Sequence, residues 1–226
     1  MIDVINLSKS FGTKQVLKDI NISFKSGQVC GIVGENGAGK TTLFRCIAGL
    51  EHFKGQIVSE CRPLKNHLGL LFTEPFFLSK ITGREYIRLL CNAREKKILN
   101  IDEKNIFDLP LSQYVSTYST GMKKKLAFMA ILLQDNQYFI LDEPFNGVDI
   151  QSNIIIVEVV RKLKEIGKTV IISSHIFSTL SETCDEIHLL QEGAFIKKVY
   201  QQEFELLESE MKACVIGNKV EKLALQ

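Results

Sequence analysis

The chain opens with two runs in which apolar and polar positions take turns, IDVINLSKSFG from Ile2 and QVLKDINISFKSG from Gln15, each closed by a glycine. A period of two puts successive side chains on opposite faces, so both runs read as short strands with glycine turns. From Gln28 to Val33 the pattern becomes a compact apolar run, which fits a buried strand, and Thr41 to Leu50 reads as a helix. A strand, a glycine loop and a helix thus follow one another in order.

Between Pro75 and Leu133 strand signals are weak, while GREYIRLLCNAREKK and GMKKKLAFMAILL carry helical spacing, so residues 75–133 read as a helical insertion. Strands return as YFILD from Tyr138 and TVIISS from Thr169, separated by a helix in SNIIIVEVVRKLKEIG. That is the β-α-β alternation of a buried parallel sheet. Residues 201–226 form a tail without a recognisable motif.

Composition narrows the classes. A chain of 226 residues with 45% hydrophobic content can bury a full core and is long enough to be an enzyme. A formal net charge of +2, with no basic block beyond Lys123-Lys124-Lys125, gives polyanion binding no support, and no nucleic-acid partner is expected. Those three lysines read as a solvated face, with a nearby phosphate as the sharper alternative. The six cysteines show no C-x-x-C spacing, which indicates free thiols rather than a zinc site or a disulfide framework. MIDVINLSKS lacks the basic and apolar segments of a signal peptide, and no window reaches the length of an uncharged membrane span. The expectation is a cytoplasmic chain that does not cross a membrane by itself.

The glycines between the apolar strand and the following helix have a physical purpose. Gly34-x4-Gly39-Lys40-Thr41 is the P-loop pattern, in which successive backbone N–H groups wrap a phosphate because no side chain obstructs them. Gly34, Glu35, Asn36, Gly37, Ala38, Gly39, Lys40, Thr41 and Thr42 are therefore the candidate cradle for a nucleoside triphosphate. The helix N-terminus adds its dipole, Lys40 reaches the outer phosphates, and the Thr41 hydroxyl is a candidate Mg²⁺ ligand. The bland alternative is a glycine-rich turn that binds nothing.

Downstream, YFILDEP ends an apolar strand in two adjacent carboxylates. Neighbours on a strand point to opposite sides, so Asp142 can serve Mg²⁺ while Glu143 faces an attacking water. The competing reading is a solvated acidic turn after a core strand. In YSTGMKKKLAFMAILL, Ser119 is a good helix cap, and its hydroxyl with the Gly121 amide makes a second anion site, one without a phosphate of its own in this chain.

The order of P-loop, serine-glycine signature, Asp-Glu pair and later histidine resembles that of the nucleotide-binding subunits of ATP-binding cassette (ABC) transporters, over about Ile2 to Gly193. The resemblance implies an α/β fold: a P-loop NTPase core with a mainly parallel sheet, an N-terminal antiparallel β subdomain and a helical signature subdomain, all within one ATPase domain. It implies ATP and Mg²⁺ as cofactors, and a second ABC ATPase subunit, identical or not, whose signature helix faces this chain's P-loop. It also implies a separate transmembrane permease subunit, which would hold the protein at the inner face of the membrane. By the same resemblance Phe11 stacks on adenine, Asp149 in FNGVD contacts the other subunit, and His175 after TVIISS contacts the γ-phosphate. Lys40, Glu143 and His175 are then the catalytic set.

Departures from the family pattern are visible. Where the family usually places Gln at the end of the strand in LGLLFTEPFF, this chain has Thr73 beside Glu74. The signature reads YSTGM, a variant that looks like exporters whose ATPase and membrane subunits are separate chains. Two rivals remain. One is an ABC-type clamp acting on ribosomes or DNA. The other is a GTPase or kinase; NKVE, Asn218 to Glu221, is faintly like a guanine-reading N-K-x-D but ends in Glu.

Overall fold

The two alternating runs form β1 (Ile2–Phe11) and β2 (Lys14–Phe24), which pair antiparallel through the turn at Gly12. This structure is a computed structural model, and it describes residues 1–175 and 177–216. The NKVE stretch lies outside the described residues. After β3 (Val29–Val33) and α1 (Lys40–Ile47), β4 (Lys54–Ser59) pairs with β1 to complete a three-stranded antiparallel sheet, order β2-β1-β4. α1 begins one residue before the expected helix and ends three residues earlier, where Gly49 at φ 73° stops it.

The second sheet holds the core. β5 (Leu68–Leu71) is followed by α2 (Gly83–Asn92) and α3 (Thr120–Leu133). Next come β6 (Tyr138–Asp142), α4 (Ile150–Glu165), β7 (Thr169–Ser173) and the short α5 (Phe177–Ser181). β8 (Glu186–Gln191), β9 (Ala194–Tyr200) and α6 (Phe204–Ile216) close the described chain. The six strands lie in the order β5-β6-β7-β3-β8-β9, all parallel except β9. The mixed but mainly parallel sheet, the antiparallel sheet and the helices are the fold expected from the sequence. α6 places Phe204 and Leu207 in the core, so part of the motif-free tail is structural.

The strand period divides the core cleanly. Cys30 and Ile32 of β3, Tyr138 and Ile140 of β6 and Ile171 of β7 pack with α1 and the antiparallel sheet. Their neighbours Val29, Val33, Phe139, Leu141, Val170 and Ile172 pack with α3 and α4 on the other face. The 75–133 stretch is less helical than expected. α2 stops at Asn92, before the charged AREKK run, and a long irregular segment leads to α3. α2 starts from a capping box in which Thr82 accepts from the Glu85 amide and Glu85 accepts from Thr82.

Candidate active site

β3 is an inner strand of the sheet, between β7 and β8, and the chain leaves its carboxyl end into the glycine loop, where ligands of open α/β sheets bind. Gly39 caps α1 at φ 112°, and a side chain there would strike Leu17. A Cβ on Gly34 would sit 2.3 Å from the Leu190 carbonyl, so that glycine answers to packing against β8 as well as to the loop. Glu35, Asn36, Gly37, Gly39, Lys40, Thr41 and Thr42 line one cavity, joined by Val16, Thr73, Asp142, Glu143, Asn146 and His175. The buried Lys40 ammonium donates to the Gly34 carbonyl at 2.6 Å and lies 3.6 Å from Glu143 Oε1.

Asp142 ends β6 and is almost wholly buried, yet each carboxylate oxygen is satisfied. Oδ2 accepts from Thr41 Oγ1 at 2.6 Å and from Thr73 Oγ1 at 2.7 Å, and Oδ1 accepts from Ser173 Oγ at 2.7 Å. The Thr41 and Thr73 hydroxyls and the Asp142 carboxylate are hard oxygen donors converging on one point, which is the chemistry Mg²⁺ selects. The residues present fit that ion.

Glu143 departs from the expected geometry. The strand rule sent the two carboxylates to opposite sides, but β6 ends at Asp142 and Glu143 takes φ 51°, so both face the same cavity. A positive φ is uncommon for Glu and signals local strain. Several bonds hold it there. The Glu143 amide donates to Ser173 Oγ at 3.1 Å, and its Oε2 accepts from the His175 amide at 3.2 Å and faces His175 Nδ1 at 2.7 Å.

A further hold corrects the reading of the lysine run as a solvated face. Lys124 is buried, and its ammonium donates to the carbonyls of Glu143 and Asn146, both at 2.9 Å. Burial lowers the Lys124 pKa, while the nearby Glu143 and Asp142 charges oppose that shift. Lys125 is also engaged, pairing with Asp149 at 2.9 Å. Asp149 caps α4 by accepting from the Ser152 amide, and that bond, followed by Lys125, holds its carboxyl well below the usual range.

The signature residues stand apart from the cavity. Ser119 caps α3, accepting from the Met122 amide at 3.2 Å, and is exposed. Gly121 lies so close to the loop after β6 that a Cβ would meet the Gly147 carbonyl at 2.7 Å. Neither lines the P-loop cavity. Phe11 is half exposed at the end of β1, with the Lys9 ammonium 4.4 Å above its ring, and the cavity wall nearby is Val16 instead. Sequence reasoning missed Ser173 and the burial of Lys124. The Ser173 signal was available only through strand pairing, because register sets it directly beside Asp142.

A family model described as ABC transporter matches residues 17–146. The chain belongs to the ABC transporter family. Bacitracin transport ATP-binding protein BcrA of Bacillus licheniformis is 32% identical over 220 residues, which span 88% of this chain and 69% of that protein. ABC transporter ATP-binding protein NatA of Bacillus subtilis is 32% identical over 216 residues, 87% of this chain and 88% of its own. A solved ATP-binding subunit of an ABC transporter superposes with a TM-score of 0.80 at 24% identity, covering 92% of this chain and 93% of that one, which shows the shared fold. The family expected from the motif order is the one found, and these relatives favour a transporter subunit over a ribosome or DNA clamp.

Proposed function

We propose that this chain binds and hydrolyses ATP with Mg²⁺ and powers an ABC transporter by closing head-to-tail on a second ATPase subunit. The observation that carries the reading is the convergence of Lys40, Thr41, Asp142, Glu143 and His175 on one cavity beside the P-loop. An acid for the metal, an acid for water and a cation for phosphate are the parts phosphoryl transfer needs.

Thr41 and Asp142 would hold Mg²⁺, which supplies charge neutralisation along the phosphate oxygens. The loop amides and Lys40 bind the phosphates and stabilise charge on the group in flight. Glu143, held by His175, Ser173 and Lys124, orients a water and takes its proton. His175, exposed and lining the cavity, would donate to the γ-phosphate. Ser119 and Gly121, which do not line this chain's own cavity, serve the phosphate held by the other subunit, and the γ-phosphate thereby draws the pair together. Phe11, exposed at the end of β1, remains the candidate adenine platform.

No helix among the described residues is long and apolar enough to cross a membrane. Because the relatives are transport ATP-binding proteins, we assign the membrane path to a separate permease chain, with this chain on the cytoplasmic face. The test is hydrolysis by the purified chain with Mg²⁺ and either ATP or GTP. ATP is the expected substrate, and Lys40→Ala should weaken its binding; a strong GTP preference, or unchanged ATP affinity in the variant, overturns the reading.

A further inference from the structure

Away from the nucleotide cavity, three chemically distinct ligand groups meet inside the sheet. Cys30 of β3, Glu186 and His188 of β8 are all buried, and one ligand atom from each lies within 4.8 Å of the others. Register explains the meeting. Cys30 pairs beside Glu186 in the parallel ladder, and His188 lies two residues further on the same face of β8. Cys30 belongs to the cluster packed under the antiparallel sheet, so the group sits between the two sheets.

We propose that Cys30, Glu186 and His188 form a site for a borderline-soft divalent transition ion of the Zn²⁺ class. Thiolate, imidazole and carboxylate are the ligand types that Zn²⁺ takes, and three of them with one open position make a complete protein contribution. Ligand atoms around one tetrahedral ion stand roughly 3.3–3.8 Å apart, so the group must close by about 1 Å at its widest. His188 and Glu186 already lie 3.0 Å apart.

Lys198 of β9 is the resident cation. Its ammonium lies 2.8 Å from Glu186 Oε2, and its side chain reaches solvent. Burial acts to raise the Glu186 pKa, but hydrogen bonds from His188 and Lys198 outweigh it and hold the carboxyl down at about 2, so the carboxylate is already in its ligand form. Burial, then the Glu186 charge, raises the Cys30 pKa well above its usual value, and binding therefore releases the thiol proton to solvent as the sulfur–metal bond forms. The Lys198 ammonium leaves at the same time for water. An opening lined by Val4, Ile22, Lys25, His188 and Lys198 gives an ion a way in between the sheets.

The test uses the nucleotide-free full chain with a non-thiol reductant and excess Mg²⁺, which occupies hard oxygen sites. Co²⁺ is titrated first and then displaced by Zn²⁺. One Co²⁺ per chain with a thiolate-to-cobalt charge-transfer band is expected. The band should vanish in Cys30→Ser. Loss of even an outer partner weakens a metal site about 10- to 100-fold, and His188→Gln should cost no less. Lys198→Met removes the competing ammonium and should tighten binding, which a general disturbance of the fold would not do. No band in either wild type or Lys198→Met overturns the proposal. So does a band that survives in Cys30→Ser, or equal affinity in His188→Gln, with circular dichroism reporting that each variant is folded.

Discussion

The ammonium of Lys124 donates to the backbone carbonyl of Glu143, at 2.9 Å. A side chain from the first turns of α3 thereby adds to the Ser173 and His175 bonds that hold Glu143 at φ 51°. Lys124→Met keeps the bulk, takes the donor from the Asn146 carbonyl and leaves the Glu143 carbonyl only the Asn146 amide at 3.2 Å. We expect the hydrolysis rate to fall about 10- to 100-fold through misplacement of the carboxylate, with ATP affinity little changed. The orphaned Asn146 carbonyl also costs about 1–3 kcal/mol, visible as a lowered denaturation midpoint. Unchanged turnover in a folded variant would remove Lys124 from the site.

Glu143→Gln retains shape but cannot accept the water's proton. Hydrolysis should drop by about 10² to 10⁴ while ATP still binds, since that is the usual worth of a general base. The variant should accumulate as a closed dimer with Mg²⁺ and ATP, seen by light scattering, and not with ADP. Near-normal hydrolysis would mean another group is the base.

Ser119 both caps α3 and, in the proposed pair, meets the opposite subunit's phosphate. Ser119→Asp separates the two, because Asp caps a helix about as well as Ser but carries a charge that repels phosphate. Folding and ATP binding by the monomer should persist, and ATP-driven dimers should disappear from light scattering. A normal ATP-bound dimer in this variant would sink the composite site.

Thr73 stands where the family usually has Gln and donates to the same Asp142 oxygen as Thr41. Thr73→Val removes that donor with little change in shape. Asp142 keeps two of its three hydroxyl partners, so the expected signature is a weaker apparent affinity for Mg²⁺ in the ATPase assay, with folding intact. An unchanged Mg²⁺ dependence would leave Thr73 as a spacer.

Glu186 makes a pH prediction. Its pKa falls on folding from 4.5 to about 2, because hydrogen bonds from His188 and Lys198 outweigh the upward push of burial. A carboxyl depressed in this way stabilises the fold fully above its unfolded value and loses that contribution as pH falls toward its folded value. The urea midpoint of wild type should therefore exceed that of Glu186→Gln at about pH 5, and the gap should narrow between about pH 4.5 and pH 2, measured with chelator present. A constant gap across that window would show that Glu186 is not ionised in the fold.

The parts of the site that depend on local order were readable in the chain. Gly34 to Thr42 needs only a strand, a loop and a helix in sequence, and Asp142 and Glu143 end a run whose apolar character is plain. What escaped depended on register or on backbone direction. Ser173 bonds Asp142 only because β7 lies beside β6, a pairing that hydrophobic patterns do not encode. The turn at Glu143 breaks the two-residue alternation at the point where function begins. Lys124 looked like one of three solvated charges because its acceptors are main-chain carbonyls from another segment, invisible to side-chain patterning. β4, β8 and β9 were missed as well; β4 and β9 are edge strands with few buried residues, which resemble polar loops.

The strand order has a consequence for the chain as it emerges from the ribosome. β3 is paired on one side with β7 and on the other with β8, so Cys30 meets Ile171 only after 141 further residues exist and Glu186 only after 156. Until Gln191 has been made, the strand that feeds the P-loop has an open edge, the kind of unpaired backbone that invites pairing with other chains. At about 5–20 residues per second that exposure lasts several seconds or more per molecule. A truncated transcript ending before Thr169 would leave β3 bare on both sides, and its product should be degraded or aggregate rather than compete for nucleotide.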